Sequence, residues 1–425
     1  MTTLLHAPSR RQLLLASGVL FAWAHMPRAA LAEGRDPRLL VIVLRGALDG
    51  LAAVAPVGDP DWLRLRGDAA LTLDGATPAL PLNDFFALNP AMPNLHRMYK
   101  ANQASIVHAV ASPYRERSHF DGQDVLESGL TKPGAVDTGW LNRALASLAP
   151  AGQVNGQANS RAGSNQAFAV GPVTPLVVRG SAPVMSWTPP KLPPATDDTM
   201  MRLLDLYRHT DPALAHALEE HAGLTAIARE GGLDMNPHKD NGPRSTVPGA
   251  AVRAYFAESA GAAAKFMSRG DGPRIGALAF DGWDTHADEG AASGRLAALL
   301  GALDGALGAV ESGMGDAWKE TAVAVITEFG RTARINGTQG TDHGTATVAL
   351  LAGGAVKGGR VIADWPGLSE ARLYEARDLN PTTDLRAILK GVLRDHLRVD
   401  ERALATSIFP GSAMLKGMNG LVASA

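Results

Sequence analysis

Cysteine is absent from all 425 residues. That excludes a Cys₄ zinc site, an iron–sulfur cluster, a disulfide framework and a thiol nucleophile. Any metal would have to be held by histidine and carboxylate, which favours zinc, manganese, magnesium or calcium. A chain without cysteine also suits an oxidising compartment. Aromatic residues make up only 5%, which argues against a carbohydrate or cell-wall module built on exposed rings. Neither sign of charge is in excess: the net charge is −2, so the electrostatic footprint of a nucleic-acid partner is missing. The turn "RGALDG" after the first aliphatic run lacks the G-x-G-x-x-G spacing, which disfavours a dinucleotide-binding enzyme.

What is present is apolar content of 46%, ample for one large buried core, with 46 glycines and 27 prolines to punctuate it. Residues 9–32 read "SRRQLLLASGVLFAWAHMPRAALA". The twin arginine Arg10-Arg11, the short apolar stretch and the closing Ala30-Leu31-Ala32 match a twin-arginine export signal with an A-x-A cleavage site. The apolar part is short for a membrane span, so no stable span is expected after cleavage. The mature chain, 33–425, is expected in the periplasm or outside the cell.

Five aliphatic runs follow: "RLLVIVLRGALDG" (38–50), "ASIVHAVAS" (104–112), "PRIGALAF" (273–280), "TAVAVITEFG" (321–330) and "ATVALLAGG" (346–354). Continuous runs of this kind suit strands buried on both faces. Helical spacing appears in "SGRLAALLGALDGALGAVESGM" (293–314) and "TDLRAILKGVLRDHL" (383–397). Alternating strands and helices predict an α/β fold with a mostly parallel sheet. The stretch 151–250 opens with a polar "AGQVNGQANSRAGSNQ", includes a Pro-rich "SWTPPKLPPATDD", and reads as an insertion over that sheet.

Ligands of open α/β sheets sit at the carboxyl ends of strands, and reactive side chains collect there. Asp49 follows the first run, Ser118 and His119 the second, Asp281, Asp284, His286 and Asp288 the third. Glu328 ends the fourth, while Asp342 and His343 precede the fifth. So many acids at one edge repel one another unless paired or coordinating a cation. Each has a simpler reading. Asp49 before Gly50 suits a turn, Asp284 with Asp288 suits a helix start, and Ser118 with Asp121 spells a capping box. Glu328 could pair with Arg331 or Arg334.

The segments "LRGALDGL", "RSHFDGQD", "GWDTH", "TEFGRT" and "TDHG", with the twin-arginine signal, resemble the bacterial family known as domain of unknown function 1501 over nearly the whole mature chain. The metal segments and sheet also resemble the alkaline phosphatase/sulfatase superfamily. That second resemblance implies a three-layer fold with helices on both faces and one or two divalent ions. One ion would be held by Asp284, His286 and His343. The other would be held by Asp49 and Glu328, with the Ser118 oxygen as a further ligand. Where the superfamily has Asp-His-Gly, this chain has Glu328-Phe329-Gly330. "DTH" is also shorter than the usual spacing, which leaves Asp281 or Asp288 open as the true partner. Asp342-His343-Gly344 is an alternative location of the Asp-His-Gly motif.

The resemblance further implies displacement at phosphorus or sulfur on a small anionic ester. Ser118 would be the nucleophile at a helix N-terminus, His119 would orient or protonate the leaving group, and Arg45 or Arg331 would hold a non-bridging oxygen. The competing expectation is an exported, non-catalytic metal-binding scaffold that works through a partner protein.

Overall fold

The computed structural model describes residues 20–24, 35–134, 136–148, 167–169, 175–182, 184–187, a few positions between 204 and 219, 250–270 and 272–423. The twin arginine, the A-x-A motif and most of the expected insertion, 151–250, lie outside them.

In chain order the strands are β1 (Leu20–Ala24), β2 (Arg38–Arg45), β3 (Val54–Ala55), β4 (Leu80–Pro81), β5 (Ala87–Leu88), β6 (Ala104–Ala111) and β7 (Ala167–Ala169). They continue with β8 (Met185–Trp187), β9 (Ile275–Asp281), β10 (Thr321–Thr327), β11 (Thr347–Ala352), β12 (Arg360–Ile362) and β13 (Thr383–Asp384). Seven of them make the principal sheet, in the order β12-β6-β11-β10-β2-β9 with β13 also on β6; β1, β7 and β8 extend it beyond β9. The backbone of β1, from the apolar part of the expected export signal, runs antiparallel to β9. β3, β4 and β5 form a separate small sheet.

All five aliphatic runs are strands, and β2 shows why. Leu40, Ile42 and Leu44 belong to one apolar cluster with residues of the helices Pro93–Lys100, Ala250–Ser268 and Arg295–Met314. The alternating Leu39, Val41 and Val43 belong to another, with the helices Trp140–Leu148 and Leu385–Leu397. A strand whose two faces are both covered needs apolar residues at every position, and each such side chain contributes about 1.5–3 kcal/mol on burial. The stretch Arg295–Glu320 is long and apolar enough to cross a membrane by length and composition. Here it packs on the Ala250–Ser268 helix as part of the core.

The sheet is mixed, not mostly parallel as the sequence suggested. β2 is parallel to both β9 and β10, and β12 and β13 are parallel to β6, but β11 runs antiparallel to β10 and to β6. The cause lies between Thr327 and Thr347. That stretch contains no helix, so there is no crossover to return the chain in the parallel sense, and β11 comes back directly. Residues just before β11 lie at the same edge as residues just after β2, β6, β9 and β10.

Candidate metal centre

Four loops meet at that edge. Gly46, leaving β2 with φ +117, lies so close to the next strand's exit loop that a Cβ there would sit 2.5 Å from the Asp284 amide nitrogen. Only glycine permits that approach. Gly340 does the same for the loop before β11, where a Cβ would fall 2.4 Å from the His286 carbonyl carbon. His119 is the first residue of the helix His119–Ser128, directly after the N-cap Ser118. His343 is held by a β-bridge to Arg331.

The imidazoles of His119, His286 and His343 all turn Nε2 toward one oxygen, Asp284 Oδ1, at 3.4, 3.1 and 3.4 Å. The Nε2 atoms of His286 and His343 are 3.0 Å apart. Without an ion, a proton shared between those two nitrogens would satisfy that pair alone. A zinc ion with ligands near 2.0–2.1 Å in tetrahedral array sets neighbouring donors about 3.3 Å apart. The separations of Asp284 Oδ1 from each imidazole, and of His286 from His343, are of that size. His119, Asp284 and His343 form a group whose donor atoms lie within 4.8 Å of one another and could hold a metal ion. The His119 Nε2 atom is buried and makes no hydrogen bond. A buried orphan of that kind is costly unless something else engages it, and the donor set around it fits a cation.

The far nitrogens are all engaged. His119 Nδ1 lies 2.9 Å from Glu328 Oε1, His343 Nδ1 lies 2.9 Å from the Arg117 carbonyl, and His286 Nδ1 lies 3.4 Å from Asp342 Oδ1. Partners on Nδ1 fix ring orientation and direct the other nitrogen inward, the pattern behind metal-binding histidines. Glu328 is itself fully buried and also accepts from the Gly46 amide, Gln123 Nε2 and the Thr327 hydroxyl. Asp342 accepts from Asn336 Nδ2 at 3.0 Å.

Electrostatics follow from these contacts. Burial pushes the Asp284 carboxyl up, but the Arg331 guanidinium, 2.5 Å away, outweighs it and lowers the pKa to about 2. Burial also opposes ionisation of Glu328, and the His119 hydrogen bond and neighbouring amides bring it below the usual carboxylate range. His119 is raised, first by its hydrogen bond to Glu328. His343 is lowered by burial and by the nearby His119 and Arg331. Phe329 stacks on His119, with centroids 5.1 Å apart, and closes one side with an apolar wall.

Asp284, His286 and His343 therefore meet, as the resemblance implied for one ion, and Asp342 stands directly behind His286. The other assignments change. Asp49, only 1% exposed, caps the turn Gly50–Ala53 and grips Arg66 at 2.5 and 3.0 Å, so its carboxylate is spent on a guanidinium and not on the imidazoles. Glu328 positions His119 instead of joining a second ion. Arg331 is fully buried and donates to the carbonyls of Gly46, Ala47, Trp283 and Thr341 as well as to Asp284, which removes it as a substrate clamp. Arg45 is paired with Glu127 at 2.5 Å. Ser118 is the N-cap residue, but its side chain makes no cap hydrogen bond, and Asp121 accepts from the Tyr114 hydroxyl instead of completing a capping box. Asp281 and Asp288 are exposed. His119 faces Asp284 as a potential ligand and not as a leaving-group acid. The available signal was that it brings a third imidazole to the edge.

No curated protein and no solved structure matches the chain. A family model, described as a protein of unknown function (DUF1501), matches residues 36–408 and so spans every segment of this centre. The chain belongs to the DUF1501 family.

Proposed function

We propose that the chain is an exported, metal-dependent hydrolase related to the alkaline phosphatase/sulfatase superfamily, which holds one divalent ion and cleaves a small phosphate or sulfate ester. The observation that carries this reading is the convergence of three Nε2 atoms on Asp284 Oδ1, with His119 Nε2 buried and making no hydrogen bond. Three imidazoles and one carboxylate suit zinc, and manganese after it, better than magnesium or calcium, which prefer all-oxygen shells. One ion replaces the one or two of the wider resemblance, because Asp49 and Glu328 are committed elsewhere.

A divalent ion held there would supply Lewis acidity toward an ester oxygen or a water. The protein's own part is positional. With an ion bound, Glu328 beside Nδ1 would hold the ring proton of His119 there and leave the Nε2 lone pair to the ion. Arg331 fixes Asp284, and Phe329 keeps solvent from one side of the imidazoles. Ser118 adjoins His119 with its side chain not spent on the helix cap, and it is the nucleophile of this reading. The expected site of action is the periplasm or the exterior, with no nucleic-acid partner.

A second reading, a non-catalytic metal-binding scaffold acting through an exported partner protein, is favoured by one observation. Arg45 and Arg331 are both held by internal groups, so neither is left to grip a non-bridging oxygen. The two readings separate by assay of zinc- and manganese-loaded protein on aryl phosphates and aryl sulfates. The hydrolase turns over one class and loses turnover in Ser118→Ala and His343→Ala. A scaffold binds the ion and turns over neither.

A further inference from the structure

We infer that Glu289 is a positioning residue that locks together the two loops carrying the metal ligands, acting through the hydroxyls of Thr285 and Thr341; the inference rests on the metal-centre reading above. Thr285 lies between Asp284 and His286, and Thr341 immediately precedes Asp342 and His343. Glu289 places Oε1 3.0 Å from the Thr285 hydroxyl and Oε2 2.7 Å from the Thr341 hydroxyl. Thr285 and Thr341 are fully buried, and Glu289 is 1% exposed. One carboxyl group thus spans both loops with one oxygen for each.

The backbone runs the same way. The Thr341 amide donates to the Thr285 carbonyl at 3.1 Å, and the Glu289 amide to the Gln339 carbonyl at 3.0 Å. The Glu289 carbonyl accepts from the Leu296 amide, which ties the assembly to the long helix Arg295–Met314. The 3.0 Å approach of His286 to His343 joins these same two loops. A ligand pair drawn from separate loops holds its geometry only if the loops cannot slip, and a displacement near 1 Å spoils a metal site. An acid buried close to Asp49 is costly to keep, and its side-chain hydrogen bonds go to the two ligand loops.

The test uses the full chain, with zinc ion alone as the probe in competition with a chromophoric chelator, together with amide exchange of the metal-free protein. Glu289→Ala is expected to lower zinc affinity about 10–100-fold, the range typical of groups behind metal ligands. Thr341→Val, which keeps the shape and removes the hydroxyl, is expected to lower it less, and Glu289→Gln to retain most of it. In the metal-free Glu289→Ala protein the Thr341 amide should exchange faster while the amides of β2 keep their protection. If Glu289→Ala does not fold, Thr341→Val and Glu289→Gln carry the comparison. Unchanged exchange overturns the clamp even in a protein that binds zinc. Faster exchange with unchanged affinity overturns the positioning role and leaves Glu289 as loop packing. A wild-type protein that binds no zinc sinks the metal reading, and with it the role given to Glu289.

Discussion

Two groups of charge, one buried around Asp49 and one half-buried around Asp284, sit near the same edge of the sheet, and they are balanced in opposite ways. Around Asp49 the balance is internal: Arg66 meets the carboxylate through two nitrogens, and the nearby Glu289 carboxyl is driven toward its neutral form by burial and by the charge of Asp49. Anion, cation and neutral acid leave little net charge there. The guanidinium that pairs with Asp284, that of Arg331, is shared with four backbone carbonyls. Three imidazoles face the same carboxylate oxygen, and the buried His119 Nε2 among them makes no hydrogen bond. The first group is a finished structural ion pair. The second holds a donor set that could take a cation.

The comparison can be broken at its closed end first. Asp49→Ala strands a fully buried guanidinium, and removing one partner of such a pair costs about 3–5 kcal/mol. Urea unfolding should show that loss, while zinc affinity per folded molecule stays close to wild type. A loss of zinc binding without a loss of stability would mean that Asp49 is a ligand after all.

Smaller in effect, Glu328→Gln keeps the shape behind His119 but weakens the orientation of its ring. Zinc affinity should fall about 10–100-fold by chelator competition. An unchanged affinity would make Glu328 an ordinary buried acid.

Taken per pH unit, the smallest effect is on the pH dependence of stability. Burial, and then the charge of Asp49, raise the Glu289 carboxyl from its ordinary 4.5 to about 8. Between those values the folded protein holds a proton that the unfolded chain releases. Stability should therefore fall as pH rises through that window, by up to about 1.4 kcal/mol per pH unit from this group. Glu289→Gln should flatten the slope measured by urea unfolding between about pH 5 and pH 8. An identical slope in the variant would show that Glu289 titrates normally.

Much of this arrangement was legible in the residues. Strands buried on both faces have no alternation to mistake, so the aliphatic runs marked β2, β6, β9, β10 and β11 directly. Asp284, His286 and His343 were visible as acids and imidazoles flanking those runs. Strand direction was harder. Direction depends on how the chain returns, and the clue was that Asp342 and His343 stand before their strand while the other site residues stand after theirs. Only an antiparallel β11 brings both sets to one edge. The partners of Asp49 and Arg331 were not legible at all. Arg66 reaches Asp49 from 17 residues away and Arg331 reaches Asp284 from 47 away, and nothing in local spacing distinguishes those arginines from others.

The central claim is most directly tested by counting and identifying what surrounds the ion. Protein exported by its own route, freed of loosely bound metal, would be analysed for metal content and, if zinc is found, by X-ray absorption at the zinc edge. The account predicts one ion per chain with three imidazole nitrogens and one carboxylate oxygen in its shell, and loss of that ion in His343→Ala. Two ions per chain, or no ion retained by the wild-type protein, would contradict it.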